Sequence, residues 1–276
     1  MELTIDEAVA WTGAHLADCG FFFDFDGTLA PIQDDPEAVQ APEPARAALA
    51  ELGGRARRVA VVSARPVGFL AGRLGTVPGL ELFGLYGLES SADGGRTVAT
   101  LPAAEPYAPI VADVVRDARK TFPDALVEDK RLACALHFRT TPQLEEPILA
   151  WAAERAGQDG LRIQHGRRVV ELKPPVDWDK GAALRAVLPG LTGAWYFGDD
   201  LGDLPAFAAL DLAAAGTGAA DGAETAEAAA GGLRHGFGVA VTSPESDPRL
   251  IEQTRFQIHG PERVPALLQR IIAAAG

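Results

Sequence analysis

Three apolar runs in this sequence each close on residues able to handle a phosphoryl group. The run Phe21–Phe23 leads into Asp24-Phe25-Asp26-Gly27-Thr28, and the run Arg58–Val62 leads to Ser63. A third, from Ala194, ends in Gly198-Asp199-Asp200, with Asp203 close behind. Lys180 opens the helical pattern that precedes that third run. Carboxylates two residues apart can divide the work of acyl-phosphate chemistry. One attacks phosphorus, while the other protonates the leaving oxygen and later takes a proton from water. Strand alternation puts Asp24 and Asp26 on one side, and a turn at Gly27 lets both face a crevice, where backbone N–H groups approach phosphate oxygens closely. Acids collected at several strand ends repel one another unless they share a cation. An oxygen-only donor set with no His or Cys nearby points to Mg²⁺.

Those residues need strands that end side by side. A helical pattern over residues 5–17 precedes the first run. Pro42–Leu52 reads as a helix, Arg58–Ala64 as a β-branched strand, Pro66–Gly75 as a helix and Leu80–Leu88 as a strand with Gly breaks. Strand and helix in alternation with short connections predict a parallel sheet covered on both faces. Ligands of such a sheet sit beyond the carboxyl ends of its strands, where all three acidic or hydroxyl endings fall.

The middle of the chain changes pattern. It reads as a helix (108–121), a strand pair (125–128 and 133–138) turning near Arg131 and Leu132, a helix (145–156) and two strands (161–164 and 169–172) around His165–Arg168. Two helices over a small antiparallel sheet form an α+β unit inserted into the α/β order. After Pro174–Gly181 the first pattern returns: a helix (181–188), the strand Ala194–Asp200, a helix at Leu204–Leu210, a strand over Leu212–Ala215, a Gly/Ala/Glu-rich stretch (216–232) with a surface helix near Ala226, the strand Gly238–Val241 and a closing helix (263–274). The expected division is core 1–104, inserted unit 105–173 and core 174–276.

Composition narrows the partners. Of 276 residues, 25 are Lys or Arg and 38 are Asp or Glu, a formal net charge of −13. That balance opposes a nucleic-acid surface, which needs a basic stripe. Two cysteines, Cys19 and Cys134, offer no disulfide framework, and each reads as a small buried hydrophobe in a reducing cytoplasm. The acidic, amphipathic start lacks the pattern of a signal peptide, and no run is long enough to span a membrane. A small sugar phosphate is the expected partner, with the chain a monomer or weak homodimer.

FFFDFDGTL, VVSARP, DKG and FGDDLGD are similar, in this order, to the four motifs of the haloacid-dehalogenase-like phosphatases. Within that superfamily the chain from Phe21 to Phe207 resembles the trehalose-6-phosphate phosphatases, through DGTLAPIQDDP, SARP, EDKRLACALHFR, VVELKPPVDWDKGAAL and FGDDLGDLPAF. The resemblance implies a Rossmann-like haloacid-dehalogenase core with an inserted α+β cap that closes over the sugar. It implies Asp24 as nucleophile, Asp26 as acid/base, Ser63 and Lys180 as the phosphate-holding pair, and Asp199 completing a Mg²⁺ site with Asp24 and Asp26, supported by Asp200 and Asp203. Candidate substrate contacts are Gly27, Thr28, Arg65, Tyr86 and Glu89 in the core, and Lys130, His137, Arg139, Glu171 and Lys173 in the cap.

The chain departs from that pattern in three places. Ala64 stands where Gly is usual, Tyr86 where His is usual, and Gly202 and Leu204 where Thr and Glu are usual. The catalytic acids survive all three, so the chemistry is held more tightly than the sugar. Trehalose 6-phosphate is the expected substrate, and a pseudo-disaccharide phosphate of an aminocyclitol pathway is the alternative. A sugar phosphotransferase or mutase, or a non-catalytic sugar-phosphate binder, would use the same fold. At single positions plainer readings compete. Lys180 alone reads as a surface lysine, His137 as a packed strand residue, Glu171 and Lys173 as a same-face pair, and at least one of Asp199, Asp200 and Asp203 as a helix N-terminal acid.

Overall fold

A computed structural model describes residues 3–33, 35–166, 168–216 and 232–276. The chain forms two units, Met1–Ala99 with Trp178–Gly276, and Thr100–Asp177.

In the first unit the strands are β1 (Cys19–Phe23), β2 (Arg58–Val62), β3 (Leu80–Gly84), β4 (Glu89–Ser91), β5 (Ala99–Thr100), β10 (Gly193–Gly198), β11 (His235–Thr242) and β12 (Phe256–His259). They lie in the order β12-β11-β10-β1-β2-β3-β4-β5. The pairs from β12 through β3 are parallel, and β4 runs antiparallel to β3. The strand residues alternate between two apolar clusters. Phe21, Phe23, Val59, Val61, Trp195 and Phe197 join one, with the helices α1 (Ile5–Ala14), α2 (Glu43–Gly53), α3 (Val67–Leu74) and α9 (Arg263–Ala274). Phe22, Ala60, Ala194, Tyr196 and Ala240 join the other, with α6 (Lys180–Val187) and α7 (Leu204–Ala215). A strand apolar on both faces therefore reads as an unbroken run such as Cys19–Phe23, every residue of which is buried.

From β1 the chain crosses to β2 on one side, whereas from β10 it crosses to β11 on the other. A right-handed crossover in opposite directions puts the connecting helices on opposite faces. The order reverses between β1 and β10, and Phe23 registers with Phe197. Asp24 and Asp199 thus leave the sheet at a topological switch point, where the two flanking connections diverge and leave a crevice.

The second unit is a four-stranded antiparallel sheet, β6 (Leu126–Asp129), β7 (Cys134–His137), β9 (Val169–Lys173) and β8 (Arg162–Gly166) in that spatial order, with α4 (Ala108–Thr121) and α5 (Glu145–Asp159). Val127, Cys134, Leu136, Val170 and Leu172 pack with Val111, Val114, Val115, Ile148 and Ala152 of the helices. The alternate residues Glu128, His137, Glu171 and Lys173 lie on the opposite face.

Two expectations change. Leu212–Ala215 is the last turn of α7, not a strand, because an Ala/Leu run with no turn residue before Gly216 simply prolongs the helix. The strand starting at Leu80 ends at Gly84, and Leu85–Gly87 form a short 3-10 turn. Most of the Gly/Ala/Glu-rich stretch, with Ala226, lies outside the described residues. Strand β12 and helix α8 (Pro248–Glu252) were not anticipated. Among the described residues, no helix is long and apolar enough to cross a membrane.

Candidate active site

At the end of β1, the Asp24 backbone N–H donates to the Phe197 carbonyl at 2.8 Å, extending the ladder by one residue before the chain turns. Gly27 makes that turn with φ at 81°. A Cβ on Gly27 would fall 2.1 Å from Asp199 Oδ2, so its bare Cα lets the two acidic strand ends meet. The Gly27 N–H donates inside the turn, to Ala30 O at 2.7 Å. Its amide is thus occupied within the turn. Thr28 is fully buried, and its Oγ1 has no hydrogen-bond partner among the described residues.

Lys180 is the first residue of α6, whose N-cap Asp179 accepts from Ala182 N at 2.7 Å. A side chain there leans back beyond the helix start. Lys180 Nζ lies 2.9 Å from Asp24 Oδ1 and 2.7 Å from Asp203 Oδ1, with all three side chains buried. Tyr196 Oη donates to the same Asp203 oxygen at 2.6 Å. Asp203 Oδ2 accepts the backbone N–H groups of Asp199 and Asp200, at 3.0 and 3.2 Å. Asp203 therefore carries four donors and fixes the loop that presents Asp199. Gly198 leaves room for it, since a Cβ there would fall 2.3 Å from the Asp203 Cγ.

Asp24, Asp199 and Asp203 each offer a carboxylate oxygen within 4.8 Å of the others. Burial above all, opposed by Lys180 and reinforced by Asp203 and Asp200, pushes the Asp24 carboxyl up to about 8. Asp199 is raised by burial and then by Asp24. Burial alone would lower the Lys180 ammonium, but the carboxylates of Asp203 and Asp24 outweigh it and hold it protonated. One lysine does not neutralise this set, and the oxygen-only donors suit a hard divalent cation.

Asp26 and Asp200 stand apart from that group. Arg65 grips the Asp26 carboxylate with two hydrogen bonds of 2.8 Å. Asp200 is an N-cap, its Oδ1 accepting from Gly202 N at 2.8 Å, so it is the helix-start acid among the three. Ser63, at the end of β2, accepts the Arg65 backbone N–H at 3.2 Å, which leaves its hydroxyl proton free to donate. The buried Glu89 carboxylate accepts from Val67 N at 3.0 Å at the start of α3, a capping contact. Tyr86 is half-buried in a run of left-handed residues, with φ of 52° at Leu85, 62° at Tyr86 and 96° at Gly87. Tyr86 N donates to Ser63 O and Leu85 N to Arg65 O, so this strained turn braces the segment carrying Ser63 and Arg65.

In the second unit, Lys130 Nζ donates to Glu171 Oε1 at 3.0 Å and lies 3.9 Å from Glu128 Oε2. His137 Nε2 meets the same Glu128 oxygen at 3.1 Å. Ala135 registers with both Glu128 and Glu171, and its small side chain leaves room for the lysine between them. Lys173 is half-buried on the same face, whereas Arg139 is exposed beyond β7. Sequence reasoning missed Glu128 and Tyr196. The three consecutive charged residues Glu128-Asp129-Lys130 and a lone phenol in a fully buried strand were the available signals.

The fold is that of a haloacid-dehalogenase-like α/β core. A haloacid dehalogenase-like hydrolase structure from Bacteroides thetaiotaomicron superposes with TM-score 0.61 at 15% identity, covering 91% of this chain and 98% of that one. The chain belongs to the trehalose-phosphatase family, whose model matches residues 22–222. Trehalose-phosphate phosphatases of Mycobacterium marinum and Mycobacterium avium are 38% and 40% identical to it over 199 residues, 68% of this chain and 50% of each relative. The chain thus spans about half the length of those relatives. The C-terminal domain of the Candida albicans trehalose-6-phosphate phosphatase shares the fold at TM-score 0.77 and 20% identity, over 97% of this chain and 96% of that one.

Proposed function

We propose that the protein is a Mg²⁺-dependent phosphatase that hydrolyses trehalose 6-phosphate to trehalose and phosphate through an aspartyl-phosphate. The observation that carries this reading is the buried Asp24 carboxylate, held 2.9 Å from Lys180 at the switch point and beside Asp199. Membership of the trehalose-phosphatase family supports the choice of sugar.

Asp24 and Asp199 would hold the Mg²⁺ ion, with Asp203 fixing their loop. The ion supplies charge neutralisation for the phosphoryl oxygens when bound. Asp24 attacks phosphorus, forming the acyl-phosphate bond as the bond from phosphorus to the sugar oxygen breaks. Asp26 gives its proton to that oxygen. Water then attacks the phospho-enzyme, Asp26 takes its proton, and phosphate leaves with Asp24 restored. Ser63 donates its free hydroxyl proton to a phosphate oxygen, as does the buried Thr28 hydroxyl, and Lys180 balances the gathering negative charge. Lys130, His137, Arg139, Glu171 and Lys173 are assigned to sugar hydroxyls. Two buried free thiols suit a reducing cytoplasm.

The test is phosphate release from trehalose 6-phosphate with and without Mg²⁺, beside a panel of sucrose 6-phosphate and aminocyclitol phosphates. Turnover that needs Mg²⁺, vanishes in Asp24→Asn and favours trehalose 6-phosphate by about tenfold or more is expected. Undiminished turnover in Asp24→Asn overturns the mechanism, and preference for another phosphate overturns the substrate.

A further inference from the structure

Asp26 does not wait in the crevice as a free carboxylate. Arg65 Nε donates to its Oδ2 and Arg65 Nη2 to its Oδ1, a fork-to-fork pair that fixes the plane of the carboxylate as well as its place. Arg65 is itself immobilised. Its guanidinium carbon lies 4.4 Å from the centroid of the Phe69 ring, and its side chain is 9% exposed. Phe25, between the two acids, meets the same ring edge-on at 6.1 Å. The Arg65 backbone N–H donates to the Ser63 hydroxyl, and the Arg65 carbonyl accepts from Leu85 N. One residue therefore joins the turn after β1 to the end of β2.

We infer that Arg65 is the positioning residue of the acid/base Asp26, rather than a substrate contact, an inference that rests on the role given to Asp26 above. A carboxylate has about four lone-pair sites, and the fork takes one on each oxygen. One site per oxygen stays open, and the rigid fork sets where it points. In the first chemical step the bond from phosphorus to the leaving oxygen breaks, its electron pair stays on that oxygen, and the proton at the open site of Asp26 moves to it. Arg65 keeps its own protons throughout. Such alignment matters most when the leaving oxygen is a poor one, because an alkoxide needs its proton early and a nitrophenolate does not.

The experiment follows alcohol release in a single turnover by rapid quench, with trehalose 6-phosphate and p-nitrophenyl phosphate, in wild type, Asp26→Asn, Arg65→Ala, Arg65→Lys and the Asp26→Asn/Arg65→Ala double variant. Reading only the first step removes the later part of Asp26 as base. Asp26→Asn is expected to lose about 100-fold or more on the sugar phosphate and little on the aryl phosphate. Arg65→Ala should show the same selectivity at about tenfold or more, Arg65→Lys should lie between it and wild type, and the double variant should be no slower than Asp26→Asn. Equal losses on both substrates in Arg65→Ala, or a rise confined to KM, overturn the inference while leaving the role of Asp26 standing. An unselective Asp26→Asn overturns the acid/base role and the inference with it.

Discussion

Tyr196 Oη and Lys180 Nζ share one oxygen of Asp203, at 2.6 and 2.7 Å, although Tyr196 lies on β10 and Lys180 opens α6. Removing the phenol in Tyr196→Phe keeps the ring against Phe207, 5.2 Å away between centroids, and deletes only the donor. A hydrogen bond to a charged group contributes about 1.5–3 kcal/mol. The urea midpoint should fall by the equivalent of that range. An unchanged midpoint would mean that Lys180 alone satisfies the oxygen.

Divalent metal should stabilise the fold through the acidic cluster. Mg²⁺ at about 100 times its dissociation constant adds about 2.7 kcal/mol to a protein that binds it only when folded. In thermal melts the wild type should gain several degrees with MgCl₂, and Asp199→Asn should gain little. An equal gain in both would place the cation elsewhere.

Gly27 combines a left-handed backbone with a Cβ position 2.1 Å from the Asp199 carboxylate. Gly27→Ala should therefore cost more than the ordinary ~1 kcal/mol of such a backbone substitution, and should weaken the MgCl₂-induced rise in melting temperature as Asp199 is pushed aside. Retention of the full rise would show that Asp199 tolerates displacement.

In the second unit, Lys130→Met removes the buried ammonium that faces the carboxylates of Glu171 and Glu128. Breaking one side of a buried pair costs about 3–5 kcal/mol, while replacing both partners by apolar residues costs far less. The Lys130→Met/Glu171→Leu protein should recover part of the loss. Amide hydrogen exchange in β6, β7 and β9 localises the effect, and equal protection in the single variant and wild type would rule out a strong pair.

Burial raises the thiols of Cys19 and Cys134 to about 12. The native protein should leave Ellman's reagent unreacted at pH 8, and two thiols should titrate after denaturation. Rapid reaction of either thiol in the native state would contradict its burial.

Much of this fold could be read from the chain because its strands are apolar on both faces and its helices carry Pro or an acid at their starts. The segments Cys19–Phe23 and Gly193–Gly198 declare themselves as runs, and Asp24, Asp199 and Lys180 follow from their positions at element ends. Leu212–Ala215 misled because four apolar residues fit a buried strand as well as a helix end, and only length separates them. Strand β12, with alternate residues exposed, lacks such a run. The Asp26–Arg65 pair was beyond reach for a different reason. Each residue was named, but a side-chain fork between two strand ends depends on rotamers that spacing does not encode.

The pairing of Phe23 with Phe197 also sets the order in which the molecule can be made. Strands β1, β2 and β3 emerge from the ribosome in sequence and can associate at once, whereas β10 follows the whole of the second unit. Closing so long a loop is slow, and no part of the acidic cluster beyond Asp24 exists before it closes. A nascent chain halted before Gly193 thus carries Asp24 and Asp26 with neither Asp199 nor Asp203. The acidic cluster is assembled only once both halves of the sheet are present.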